Sequence, residues 1–198
     1  MFHPFKHLKV VTKHRFLVFI NGCHLGIGFH CLLHDLSKFS PSEFIVSSKY
    51  YLGYESPVFN ERLHNGYYST ICKHHTARNK HHWEYYVDFY KGNMVIKTMP
   101  YKYALEYVAD VISASKTYNP KNFNRSKPYD YLINKLPYYY MTKATQEFLL
   151  WCFLTYKNTG FNGLKKKITK QKYKEITSKY SKTEIYKINL TKTTINNK

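Results

Sequence analysis

"HDLSKFSPSEF", residues 34–44, puts an imidazole, a carboxylate and an ammonium within five residues, directly after the apolar "CLL" of Cys31–Leu33. Its second half reads as a helix start. Ser40 is placed as N-cap, Pro41 at the first helical position and Glu43 at the third, a capping box with proline where helices favour it. A helix is expected from Pro41 to about Leu52. The charged half has no such local explanation, so the reasons for it must come from elsewhere in the chain.

Upstream, apolar residues recur at helical spacing from Pro4 to about Asn21, with His7, Val10, His14, Leu17 and Asn21 in one row. A second helix is expected over about Gly28–Lys38. Phe16–Leu33 carries no full charge, but it contains Asn21, His24, His30 and three glycines. That composition fits two buried helices joined near Gly26 and Gly28. A membrane span wants about 20 predominantly apolar residues. No small-residue cleavage site follows a clean apolar run, so no signal peptide is read.

Downstream, "GYESPVFNER" reads as a loop entering a helix over about Glu61–Lys80, which "HHWEYYVDF" continues or restarts. "KGNMVIKT" reads as a turn with a short extended piece. Pro100 opens a helix to about Tyr118 that looks buried nearly all round. Tyr101, Leu105, Val108, Ile112 and Ser115 form one stripe, with Ala104, Ala109 and Ala114 on other sides. Two more helices are expected over about 128–136 and 142–158. The fold class is all-α: a helical bundle over residues 1–163, then a basic tail over 164–198, partly helical or disordered. That tail holds eleven lysines and two glutamates.

The chain has 198 residues and 43% hydrophobic content, which suits one domain with a real core. Its formal net charge of +19 invites a nucleic-acid or phosphate-rich partner. Codons rich in A and T, which encode Lys, Asn, Tyr, Ile and Phe, account for part of that charge. Cys23, Cys31, Cys72 and Cys152 form no CxxC pair and are read as reduced thiols in a cytosolic compartment, without a cysteine-type zinc site.

Asp110 and His14 are anomalies on helices otherwise expected to be buried, because a buried carboxylate is costly unless paired or bound to a cation. With His34 and Asp35 they offer two imidazoles and two carboxylates. That set suits a divalent transition metal (Mn, Fe, Co, Ni or Zn) with positions open to water. Lys38, three residues after Asp35 and four after His34, shares their helix face and is placed to hold a phosphate oxygen. "KHHTARNKHH", residues 73–82, adds four histidines. On one helix, His75, Asn79 and His82 would form a row and His74, Arg78 and His81 its neighbour, which reads as a second metal site or a phosphate pocket.

A His, then His-Asp, then a distant Asp on helices resembles the HD-domain phosphohydrolase superfamily. "HDLSK" resembles its HD-x-x-K variant. The chain also resembles an uncharacterised family of bacteria and their phages, through "TKHRFLVF", "HDLSKFSPSEF", "YYLGYESPVFNER", "HHTARNKHHWEYYVDF" and "MPYKYALEYVADVISASKTY" over about residues 7–160. The superfamily resemblance implies His14, His34, Asp35 and Asp110 as primary metal ligands, with His75, His81 and His82 for a second metal or phosphate. It implies Lys38, Arg78 and Lys80 as substrate contacts, and Glu43 and Glu84 as carboxylates that orient imidazoles. Asp35, Lys38 and Asp110 would carry the catalysis. Serine stands where two-metal members often have glycine, and the glycine-rich signature of cyclic-dinucleotide phosphodiesterases is absent.

The expected function is therefore a metal-dependent phosphohydrolase of the cytoplasm (a host's, if the gene is viral), acting on a nucleotide or other small phosphate ester with one or two divalent metals. The alternative is a non-enzymatic, metal-stabilised helical protein that binds nucleic acid through residues 164–198. No membrane partner is expected.

Overall fold

The computed structural model of the chain describes residues 2–188. α1 spans Pro4–His24 and α2 Gly28–Cys31. Packing between them is close: a Cβ on Gly22 would stand 2.5 Å from Cys31 Sγ, and one on Gly28 would stand 2.4 Å from Cys23 Sγ. Only glycine at both positions lets α2 fold back on α1, which brings the His34–Asp35 turn toward His14. The expected helix over Gly28–Lys38 is thus cut short, and the chain resumes as a 3-10 turn at Leu36–Phe39.

α3 spans Pro41–Lys49 and starts where the sequence places it, ending short of Leu52. The capping box does not form. Ser40 Oγ donates to Ser37 O (2.6 Å), while Glu43 reaches the imidazoles of His74 and His75. Bonds between a carboxylate and imidazoles outcompete one neutral backbone N–H.

The helix expected over Glu61–Lys80 is two helices, α4 (Pro57–His64) and α5 (Thr70–Arg78), broken at Asn65–Gly66, a turn dipeptide with Gly66 at φ 59°. Beyond α5, "HHWEYYVDF" is a 3-10 turn (Trp83–Tyr86) and then β1 (Val87–Tyr90), so it neither continues nor restarts that helix. β2 (Asn93–Lys97) returns through Lys91–Gly92, both at positive φ, the mirror-image turn that matches strand twist. α6 (Tyr101–Tyr118), α7 (Lys127–Lys135) and α8 (Lys143–Thr159) follow close to their expected bounds.

The lysine-rich segment is ordered into the body as far as it is described. α9 (Lys166–Thr177) buries Thr169 and Ile176 fully, and β3 (Thr183–Lys187) pairs antiparallel with β2, Val95 opposite Ile185. Residues 189–198 of the expected tail lie outside the described residues. The architecture is mostly helical with one three-stranded antiparallel sheet, order β1-β2-β3, so the all-α reading needs that correction. α6 runs through the middle. Leu105, Val108, Ala109 and Ile112 are fully buried and share a core with Phe148, Leu149 and Phe153 of α8. All four cysteines are free thiols. Among the described residues, no helix is long and apolar enough to cross a membrane.

Candidate metal centre

The "HD" turn is built on an unusual backbone. Asp35 sits in the left-handed region at φ 52°, ψ 32°. On a regular helix adjacent side chains diverge by about 100°. The left-handed residue ends the helical course, so His34 and Asp35 point into one place. Aspartate tolerates this conformation better than most residues. Arg15 clamps the turn, donating to His34 O (2.7 Å) and Leu32 O (2.9 Å).

α1 contributes His14 and α6 contributes Asp110, with Nε2–Oδ1 2.9 Å apart. His34 Nε2 lies 3.2 Å from Asp35 Oδ2 and 3.6 Å from Asp110 Oδ1. α5 contributes His75, whose Nε2 is 3.2 Å from Asp35 Oδ1. Asn79 leaves the helix in extended conformation, so His81 and His82 swing inward and do not continue the helical rows expected for them. His81 Nε2 is 3.5 Å from Asp35 Oδ1 and 3.8 Å from Asp110 Oδ2. Among the described residues three groups have candidate ligand atoms within 4.8 Å of one another: His14, His34 and Asp110; Asp35, His75, His81 and His82; and, on the far side of two of these rings, His34, His81 and Glu106. The first two share the cleft side. Asp35 joins them, Oδ2 facing His34 and Oδ1 facing His75 and His81.

These residues fit a metal. His14 Nε2, His34 Nε2, Asp35 Oδ1, His81 Nε2 and His82 Nε2 are buried without a hydrogen-bond partner. All but His82 Nε2 lie at ion-pair distances from an oppositely charged side chain, yet out of hydrogen-bond alignment. Buried polar atoms without partners are costly. Imidazoles and carboxylates converge here on shared points, as the ligands of a metal ion do. Buried His, Asp and Glu groups here could hold such an ion.

The far sides of the rings are held as metal-binding imidazoles usually are. Glu106 Oε1 lies 3.0 Å from His34 Nδ1 and 3.3 Å from His81 Nδ1, while Glu43 Oε1 bonds His75 Nδ1 at 2.7 Å. Glu43 thus takes the expected orienting place. Glu84 does not: among the described residues it makes no hydrogen bond or ion pair with an imidazole, and its Oε2 is buried without a partner. Sequence reading missed Glu106, although it stands one helical turn before Asp110 in "LEYVAD", the spacing that puts two carboxylates on one face. Glu106→Gln is expected to weaken metal affinity about 10–100-fold with the fold intact, as titration with a metal-competing dye would show.

Electrostatics reinforce the cluster. Burial opposes ionisation of Asp35 and Asp110, but the neighbouring imidazoles, with Lys38 for Asp35, outweigh it and hold both carboxyls well below their ordinary range. Burial also opposes charge on His34 and His75. The charge of Asp35, with hydrogen bonds that the imidazole N–H groups donate to the surrounding carboxylates, overcomes it, raising His34 well above its ordinary value and His75 to about 9. Burial holds His14 and His82 down. Ligation at Nε2 requires those nitrogens to be free of protons. Metal uptake at pH 7 is therefore expected to release protons, and affinity to rise with pH up to about 9. Titration calorimetry in two buffers of different ionisation enthalpy reads this directly.

The cluster opens into a cleft of two lobes, about 280 Å³ and 380 Å³. His14, His75, Lys38 and Arg62 line the first; Tyr54, Trp83 and Tyr107 line the second; His82, Glu84, Asp110, Tyr118, Tyr131 and Tyr139 line both. Lys38 Nζ stands 2.6 Å from Asp35 Oδ2 and faces the first lobe. Arg78 and Lys80, expected as substrate contacts, are exposed and line neither lobe. Arg78 bonds back to His74 O, and Lys80 lies over Tyr85. Arg62 takes the rim instead, and no signal in the sequence marks it.

No curated protein and no solved structure matches the chain. Residues 3–152 match the family described as a family of unknown function, DUF5662. That span takes in every residue of the cluster, and the chain belongs to this family.

Proposed function

We propose that the protein is a metal-dependent phosphohydrolase acting on a nucleotide or other small phosphate ester. The observation that carries this reading is the pair of ligand groups joined by Asp35, with the Lys38 ammonium beside it at the floor of a cleft. The order His14, His34-Asp35, Asp110, with His75 and His81–His82 between, resembles the two-metal members of the HD-domain superfamily and supports it further.

A divalent metal bound by these groups would supply a water of lowered pKa and polarise a phosphoryl oxygen. The chain's own residues divide the remaining work. Asp110 faces both lobes whereas Asp35 faces neither, so Asp110 is the carboxylate that orients an attacking water and Asp35 the one that holds the two ligand groups together. Lys38 offsets charge developing on the phosphoryl oxygens, with Arg62 at the rim drawing the anion in. Glu43 and Glu106 fix the imidazoles. The test is a screen of phosphate esters, nucleotides included, against protein loaded with each of Mn, Fe, Co, Ni and Zn. Turnover that chelator abolishes supports the reading. No turnover with any metal overturns it.

One observation favours a second reading. Lys165, Lys166, Lys167, Lys170 and Lys174 are exposed at and along α9, the face a nucleic-acid backbone would use. Salt-sensitive binding to a labelled oligonucleotide, lost when these five are changed to glutamine, is its expected result.

A further inference from the structure

We infer that the outer face of α1, with that of the Gly28–Phe39 segment, is a docking surface for an anionic lipid bilayer, on which the protein lies without crossing it. A helix that is apolar all round reads as a buried one, so the sequence alone points to no such partner. In the fold, one apolar face of α1 packs inward and the other stays outside. At about 100° per residue, Phe5, Leu8 and Phe16 fall within roughly 80° of one another, on the side opposite the buried His14 and Val18. Phe5 is 85% exposed and Phe16 61%. A second row adjoins this one. Arg15, beside Phe16, donates to Leu32 O and lies 5.0 Å from the centroid of the Phe39 ring. That second row carries Phe29, 89% exposed, Leu33, 68% exposed, and Leu36. A phenylalanine brings about 150–250 Å² of surface. The two rows together therefore exceed the few hundred Å² of contiguous apolar surface that monomers usually show.

Charge decides what covers this surface. From Phe2 to Ser42 the sequence has one acidic residue, Asp35, and it is buried. Lys6, Lys9 and Lys13 are exposed along one edge of the α1 row. At the far end of α1 the basic start of α9 comes close: a Cβ on Gly26 would stand 2.9 Å from Lys166 Cβ. A second copy of the chain would meet this surface with charge of the same sign. It would also bury Arg15 with no carboxylate of the segment free to pair with it, which is costly. An anionic bilayer matches both parts. The acyl boundary takes the phenylalanines and leucines, and the headgroup phosphates take the lysines at the rim.

The experiment is flotation of the full-length protein with vesicles of phosphatidylcholine alone and of phosphatidylcholine mixed equally with phosphatidylglycerol. Sedimentation velocity of the free protein is run alongside. Binding to the anionic vesicles is expected to be at least about 10-fold tighter than to the neutral ones. Phe5→Ser combined with Phe29→Ser, at side chains too exposed to hold the fold together, should weaken it at least about 10-fold. Lys6→Gln, Lys9→Gln and Lys13→Gln together should remove most of the preference for anionic lipid. Absence of binding to the anionic vesicles overturns the proposal. So does binding that the phenylalanine double variant leaves unchanged, which would mean that the net charge of the chain adheres to any anionic surface. A dimer in free solution that the same double variant dissociates would also overturn it and give the face to a second copy.

Discussion

Asp35→Asn is expected to leave the chain folded while removing bound metal and lowering phosphoester hydrolysis by more than about 10³-fold. Asparagine accepts the left-handed backbone that Asp35 adopts, so the turn survives the change. What is lost is charge at a residue that faces both ligand groups, through Oδ2 toward His34 and Oδ1 toward His75 and His81. His34 and His75 lose one carboxylate partner each and keep Glu106 and Glu43 at their Nδ1 atoms, so both rings stay hydrogen-bonded in the fold. Metal content, far-ultraviolet circular dichroism and turnover, measured on one preparation, separate these effects. Full metal content in the variant would mean that Asp35 is a structural partner of Lys38 and not a ligand.

Glu61→Ala is expected to cost about 2–3 kcal/mol of folding stability. Glu61 is 1% exposed, and its carboxylate gathers the start of α5. It accepts from the hydroxyls of Ser69 and Thr70 and from the backbone N–H groups of Thr70 and Ile71, each 3.1 Å away. These are the unpaired donors at a helix N-terminus, where a negative charge is also favoured by the helix dipole. Removing the side chain leaves the buried Ser69 hydroxyl and Ile71 N–H without this acceptor, while exposed Thr70 can turn to water, and loosens the helix that carries His75. Burial works against ionisation of Glu61, but the hydrogen bonds prevail and lower its pKa. A lowered folded-state pKa means this stabilisation is complete above the ordinary carboxylate range and fades as pH falls through the folded value. Denaturant titration of wild type and variant should therefore differ most near neutral pH and converge in acid. A constant gap across pH would contradict the assignment.

The helices were legible in the sequence where one face had to be buried. α1, α6, α7 and α8 stand close to their expected bounds because their apolar spacing and flanking prolines are local signals. The sheet was legible only in part: "KGNMVIKT" reads as the turn and extended piece that form the Lys91–Gly92 turn and β2, but β3 lies in a lysine-rich stretch and its pairing with β2, about ninety residues earlier in the chain, leaves no local trace. Lysine at the exposed positions of α9 likewise masked Thr169 and Ile176, which are enough to seat it on the core. At the candidate site, His14, His34, Asp35 and Asp110 stood out as titratable groups on or beside apolar elements and His75 as one of four clustered histidines, and the fold brings them together. His81 and His82 reach the same place by a route the helical rows did not describe, the extended residue at Asn79. Glu43 looked like a cap because its spacing from Ser40 is that of a capping box, and only the position of α5 shows that imidazoles claim it instead. Arg62 and the tyrosine walls of the cleft depend on how α4, α6 and α7 meet, which no short stretch records.

The central claim is that the cluster around Asp35 holds metal. Elemental analysis of purified wild-type protein beside His34→Ala and Asp35→Asn tests it most directly. One or two equivalents of a divalent transition metal per chain in the wild type, lost in both variants, is the predicted result. A wild-type protein that retains none after reconstitution with Mn, Fe, Co, Ni and Zn in turn would contradict it.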